Sequence, residues 1–166
     1  VIGQLTNGLS SLAKQRNVEV ITGLAQFESP SSIIVSGAGD PQIVEFSQAI
    51  IAAGSEPTQL PGIPYDDPRV IDSTGALALE DIPGRLLVIG GGIIGLEMAT
   101  VYMELETEVT VVELMDSLMF GTDRDLVRPL EKRLKKSLSA IYTKTKVSKI
   151  EATDKHLVAH FEGDKA

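Results

Sequence analysis

Apolar residues at Ile2, Leu5, Leu9 and Leu12 recur at helical spacing, which predicts a helix running to about Arg16. Short apolar-rich segments follow at Val18 to Thr22, Ser32 to Ser36 and Gln42 to Phe46. The turn residues Ser29-Pro30 and Gly37-Ala38-Gly39-Asp40-Pro41 separate them, so they read as strands. Ala49 to Gly54 is a continuous apolar run, the pattern of a strand buried on both faces. Pro57, Pro61, Pro64 and Pro68 then make a connector of the kind found at domain boundaries.

Beyond Arg69 the pattern changes to alternating strands and helices. Ser73 to Leu79 predicts a short helix. The run from Leu86 to Ile89 predicts a strand, and Ile94, Met98, Val101, Tyr102 and Leu105 fall on one face of a following helix. Val109 to Val112 is the next strand, ended by Glu113. Thr122-x-x-Asp125 reads as a capping box for a second helix, with Leu126, Leu130 and Leu134 facing inward. Pro129 predicts a late start or a kink in that helix, because it lacks the N–H that a helix interior uses. Ala140 to Thr143 reads as a third parallel strand; Val147 to Ala152 and Leu157 to Phe161 read as an antiparallel pair. The expected class is α/β: a Rossmann-like fold with a parallel sheet and an antiparallel meander. The opening inside a helical pattern, and the lack of a further parallel strand after Phe161, predict a fold incomplete at both ends.

Between the strand at Leu86 and the helix lies Gly90-Gly91-Gly92-Ile93-Ile94-Gly95, a G-x-G-x-x-G run. Gly90 permits a sharp turn out of the strand. Gly92 has no Cβ, so a pyrophosphate can approach the backbone, and Gly95 permits close packing of helix on strand. The helix would present unpaired N–H groups and its positive dipole end to phosphates. Glu113 stands eighteen residues after Gly95, at the end of the next strand, where dinucleotide folds place the acid that accepts from the adenosine ribose. A ribose 2′-phosphate would meet that carboxylate as like charge, and Leu114, Met115 and Asp116 offer no cation, so the site reads as one for NAD and not NADP.

The remaining composition narrows the possibilities. The 166 residues are 43% apolar, enough for a core, and carry a net charge of −8, which disfavours nucleic acid or an anionic membrane as partner. No run of eighteen apolar residues predicts a membrane span. There is no cysteine, which excludes disulfides and thiol catalysis within these residues. No metal site is expected: His156 and His160 are four apart, but on a segment that reads as strand, not helix. Lys132, Arg133, Lys135 and Lys136 read as a solvated helix face beside Asp125 and Glu131, and Met115 and Met119 as packing residues.

The order V-x-V-x-x-G-x-A-x-F (Val18 to Phe27), I-I-A-A-G-S-x-P (Ile50 to Pro57), D-S-T-G-A-L (Asp72 to Leu77), G-G-G-I-I-G-L-E and V-V-E resembles the pyridine nucleotide–disulfide oxidoreductases along essentially the whole chain. Within that family it is most similar to the members that oxidise dihydrolipoamide. The resemblance implies that residues 1–58 are the C-terminal part of an FAD-binding domain and 59–166 an NAD-binding domain lacking its last strand. It implies FAD contacts at Ala25, Ala52, Ala53, Gly54 and Ser55. It implies NAD contacts at Gly90, Gly91, Gly92, Ile93, Ile94 and Gly95, at Glu97 near the nicotinamide amide, at Glu113, and at Val147 beside the adenine. No residue here matches a catalytic one of the family. Electrons would pass from dihydrolipoamide to a disulfide, to FAD, to NAD⁺, in a cytoplasmic (or mitochondrial matrix) homodimer within a 2-oxo acid dehydrogenase complex. The family's cysteine pair, its first glycine motif and its His/Glu-bearing interface domain have no counterpart here, so this chain alone is expected to be inactive. Another NADH-using member of the family, or a non-catalytic NAD-binding module, are the alternative readings. Two departures stand out. The family commonly has Arg where Glu56 stands. It usually has Gly where Glu106 stands, so a different end is expected for the first helix after the glycine motif.

Overall fold

The computed structural model describes residues 1–37 and 39–163, which divide into two compact units, Val1–Gly54 and Ser55 onward. The turn at 37–41 contains Ala38, which lies outside the described residues. In the first unit, helix α1 (Ile2–Gln15) is followed by strands β1 (Leu24–Ser29), β2 (Ser32–Ser36) and β3 (Gln42–Glu45). They form an antiparallel meander in the order β1-β2-β3, with Ala25 opposite Val35 and Ile33 opposite Val44. α1 ends at Asn17 in a left-handed residue, with Val18 N–H bonded to the Ala13 carbonyl at 2.9 Å.

Two expectations fail in this unit. Val18 to Thr22 is not a strand, and the meander starts at Leu24 instead. Ala49 to Gly54 is neither a strand nor buried: Ile50 is 94% exposed and Ile51 75%. An apolar run becomes a buried strand only with paired neighbours and covered faces, and none of the strands formed by the described residues pairs with 49–54.

The second unit is built around a parallel sheet. Helix α2 (Ser73–Ala78) is capped by the Asp72 carboxylate, which accepts from Gly75 N–H at 2.9 Å. The strands β4 (Arg85–Ile89), β5 (Glu108–Val112) and β6 (Ala140–Tyr142) lie in the order β4-β5-β6, all parallel, with Leu87 opposite Thr110 and Val111 opposite Ile141. Helix α3 (Ile93–Glu104) crosses between the first two and α4 (Arg124–Ser137) between the second two. Strands β7 (Thr145–Ala152) and β8 (Leu157–Gly163) close an antiparallel hairpin. The core joins Leu96, Ala99 and Tyr102 of α3 to Val109 and Val111 of β5, with Leu118, Leu134 and Leu138. Tyr102 is 1% exposed, and its hydroxyl donates to the Ala76 carbonyl at 3.0 Å, tying α3 to α2.

The helix faces differ from the sequence pattern by small rotations. α3 turns Leu96, Ala99 and Tyr102 inward, whereas Ile94 is 60% exposed and Val101 and Leu105 are also exposed. That helix is apolar nearly all round, so spacing alone does not select its buried stripe. In α4, Val127 and Leu134 are buried and Leu126 is exposed. Thr122 does not cap it; the N-cap is Asp123, with no side-chain cap bond. Nor does Pro129 delay the start, since the helix begins at Arg124 and carries Pro129 inside it. The end of α3 also corrects an expectation. Glu106 takes the left-handed conformation, φ +69, and the bonds Glu106 N–H to Met103 O and Thr107 N–H to Tyr102 O (both 3.0 Å) form the usual glycine-type helix end without a glycine.

Candidate functional site

The site is set by the junction of β4 and α3. Ile89 pairs with Val112, and Gly90 then turns the chain with φ +109 while its N–H donates to Val112 O at 2.8 Å. Gly92 is the N-cap of α3, extended and without a capping side chain, and a Cβ placed on it would meet nothing within 4 Å. The helix ladder begins with Leu96 N–H to Gly92 O at 3.0 Å. The N–H groups of Ile93, Ile94 and Gly95 precede that ladder, and among the described residues they donate to no protein acceptor. Gly95 is where helix meets strand: a Cβ there would overlap the Gly90 carbonyl oxygen and lie 3.2 Å from Val88 Cγ1. These are the features a pyrophosphate needs, namely an uncapped helix start, open amides and a backbone free of side chains.

Glu113 follows β5 and is half-buried. Its Oε2 accepts from Gly91 N–H at 2.6 Å and its Oε1 from Met115 N–H at 2.7 Å. Gly91 is buried, with its carbonyl accepting Met119 N–H at 2.9 Å. So the structure brings Glu113 directly to the glycine loop. Gly90, Gly92, Ile93, Ile94 and Gly95 line one open hollow, whereas Gly91, Glu97, Glu113 and Val147 are not part of its lining. Glu97 is exposed on α3, and Val147 is 8% exposed within β7. Met119 and Phe120 also line the hollow, Phe120 being 68% exposed. Nothing in their spacing distinguishes these two from ordinary loop residues.

The residues expected at FAD lie on β1 and along the segment 52–55. Ala25 lies exposed on β1, and Ala52, Ala53, Gly54 and Ser55 are exposed along an irregular segment, with Gly54 at φ +78. Away from the glycine loop, Arg69 forms a two-point bond with Asp67 (2.9 and 2.7 Å) and donates to the Thr153 carbonyl at 2.9 Å. The side-chain bond from Arg69 holds the Asp67 carboxyl down at about 2. On the hairpin, the bond from Lys149 lowers the Glu151 carboxyl, helped by His160 at 3.5 Å. His156 is exposed, and its backbone meets Thr153 at the hairpin turn. No helix among the described residues is long and apolar enough to cross a membrane.

The family model described as pyridine nucleotide-disulphide oxidoreductase matches residues 1–166. The chain belongs to this family. It is 48% identical over 166 residues to the dihydrolipoyl dehydrogenase of Vibrio parahaemolyticus and 46% identical over 164 residues to that of Haemophilus influenzae. Those alignments cover 100% and 98% of this chain but 35% and 34% of the relatives, so the chain spans about a third of their length. Among solved structures it is similar to the HOCl-induced flavoprotein disulfide reductase RclA of Escherichia coli, with TM-score 0.73 and 26% identity, covering 100% of this chain and 38% of that one. It also matches LpdA of Mycobacterium tuberculosis with TM-score 0.78, covering 96% of this chain and 36% of that one; at 21% identity this shows the shared fold. The pyridine nucleotide-disulphide oxidoreductase fold is therefore the α/β arrangement described above.

Proposed function

We propose that this chain is the NAD-binding portion of a flavin-dependent dihydrolipoamide dehydrogenase, joined to the C-terminal part of its FAD domain. The observation that carries the NAD site is the open N-terminus of α3. Gly92 caps it without a side chain, and the amides of Ile93, Ile94 and Gly95 have no protein acceptor. The identity to dihydrolipoyl dehydrogenases supports the choice of reaction. Gly92 to Gly95 would hold the pyrophosphate through backbone N–H groups and the helix dipole. Each Glu113 oxygen has one lone pair engaged by a backbone N–H and retains another for a ribose hydroxyl. Leu114, Met115 and Asp116 leave a 2′-phosphate without a cation beside it. Bound NAD⁺ supplies the hydride acceptor; this chain supplies binding and orientation. From the family resemblance alone, the reading carries with it a homodimer working within a 2-oxo acid dehydrogenase complex.

Calorimetric titration of the chain tests the cofactor assignment. NAD is expected to bind at least about tenfold tighter than NADP, the scale of one charge-assisted hydrogen bond gained and a repulsion avoided. Equal affinities would overturn it. The chain has no cysteine to shuttle electrons. A dihydrolipoamide–NAD⁺ assay on it alone should therefore stay at background, and turnover there would point to different chemistry.

A further inference from the structure

Gly91 is the member of the glycine loop with no role in the turn, the phosphate approach or the helix–strand contact. It is nonetheless the buried one. Its N–H donates to Glu113 Oε2 at 2.6 Å and its carbonyl accepts Met119 N–H at 2.9 Å. A Cβ on it would fall onto Leu118 Cδ2 and come within 3.2 Å of Glu113 Cβ. Leu118 is 1% exposed and belongs to the same core cluster as Leu96 and Ala99 of α3. Met119 holds φ +52, a conformation disfavoured for a residue with a side chain, and in it donates to Gly91. The segment after β5 therefore grips Gly91 on its N–H, its carbonyl and its Cα.

We propose that Leu118 and Met119, with the Glu113 carboxylate, are positioning residues that set the glycine loop in its phosphate-receiving shape before the dinucleotide arrives. The inference rests on the NAD reading above. A run of glycines has many accessible conformations, and ordering it only on binding would weaken affinity. Here the order comes from the core: Leu118 is held by the sheet-facing cluster and passes that rigidity to Gly91. Glu113 then acts twice, through any ribose contact and through Gly91. Its two oxygens each take a backbone N–H, on Gly91 and on Met115. A glutamine offers one acceptor oxygen and cannot serve both amides.

The test uses the 166-residue chain with Glu113→Gln, Leu118→Ala, Leu118→Met and, as a core control of similar burial, Leu134→Ala. Two readouts are taken. One is amide hydrogen exchange at Gly91 in the absence of ligand, set against global stability from denaturant unfolding. The other is the Kd for NAD and for an NAD analogue lacking both adenosine-ribose hydroxyls. Glu113→Gln is expected to speed Gly91 exchange and to weaken the analogue by about tenfold, although the analogue has no hydroxyl to lose. Leu118→Ala is expected to weaken NAD by more than Leu134→Ala does, and Leu118→Met to restore it. Unchanged Gly91 exchange and unchanged analogue affinity in Glu113→Gln would overturn the inference, as would equal effects of Leu118→Ala and Leu134→Ala. Should Leu118→Ala fail to fold, Glu113→Gln decides alone. Wild-type chain that does not bind NAD would sink the cofactor reading, while Gly91 exchange would still decide whether the grip exists.

Discussion

The two units have similar shares of apolar residues in their strands and bury them very differently. Among the described residues of Val1–Gly54 the only buried hydrophobic one is Val35; α1 buries none, and Leu5, Leu9 and Phe27 are 64%, 68% and 59% exposed. In the unit from Ser55, nine buried residues, among them Leu96, Val111 and Leu134, form a continuous cluster around one parallel sheet. The contrast is one of layering. An antiparallel meander whose faces stay exposed satisfies its backbone but removes little surface from water, whereas crossover helices deliver a covering layer with each parallel strand. Affinity for a ligand should follow the same division, because an ordered glycine loop needs a packed strand and helix on either side of it.

The largest expected effect sets one core against one exposed face. Tyr102→Ala should cost about 3–5 kcal/mol in denaturant unfolding, from lost packing and the bond to Ala76. Leu9→Ala should stay within about 0.5 kcal/mol. A Leu9 effect as large as the Tyr102 effect would break the comparison outright. Binding comes next. Gly92→Val should fold, since nothing lies within 4 Å of its Cβ position, yet lose at least about tenfold in NAD affinity by titration. Phe27→Ala in the first unit should leave that affinity where it was.

Smaller effects sharpen the comparison. Each unit ends a helix with a left-handed residue, Asn17 at φ +54 and Glu106 at φ +69. Glu106→Gly should stabilise by about 1 kcal/mol, because glycine enters this region without the Cβ penalty. Asn17→Gly should gain only a few tenths, since asparagine already tolerates it. Matched gains at both ends would mean that the residue type is not what matters. The smallest effect is pH-dependent. The Asp67 carboxyl is lowered from 3.8 to about 2 by Arg69. A lowered carboxyl stabilises the fold above its unfolded value, and that contribution fades as pH falls from about 4 through 2. Asp67→Asn should therefore flatten the acid limb of a stability–pH curve over that window, with no change near neutrality beyond a constant offset.

Much of this was legible in the residues, and the reasons for the rest are specific. Gly90, Gly92 and Gly95 declared themselves because a turn, an open cap and a close contact each demand a missing Cβ at fixed spacing. The parallel direction of β4, β5 and β6 followed from strands alternating with helical periodicity, though their order in the sheet did not. The inward stripes of α3 and α4 did not follow, because a largely apolar helix and a one-residue shift from Leu126 to Val127 look alike in sequence. The strands expected at 18–22 and 49–54 failed because local composition cannot report whether a partner strand is present. The tie from Glu113 to Gly91 was invisible for a related reason. Glu113 was recognisable as an acid for a ligand, but its partner Gly91 lies twenty-two residues earlier in the chain, and spacing alone does not pair the two.

The topology also carries a timetable. The β7–β8 hairpin pairs Ala152 with Leu157 across a short turn, so it can close on the microsecond scale of local structure. The parallel pairs cannot: Leu86 meets Val109 only after α3 has formed and folded back. Sequence-distant pairings of this kind close late, after the entropy of the intervening loop has been overcome. The glycine loop sits at the first such crossover and is gripped from beyond the second strand. Its amides therefore come into register near the end of folding, and dinucleotide added during refolding should report completion of the sheet, not its beginning.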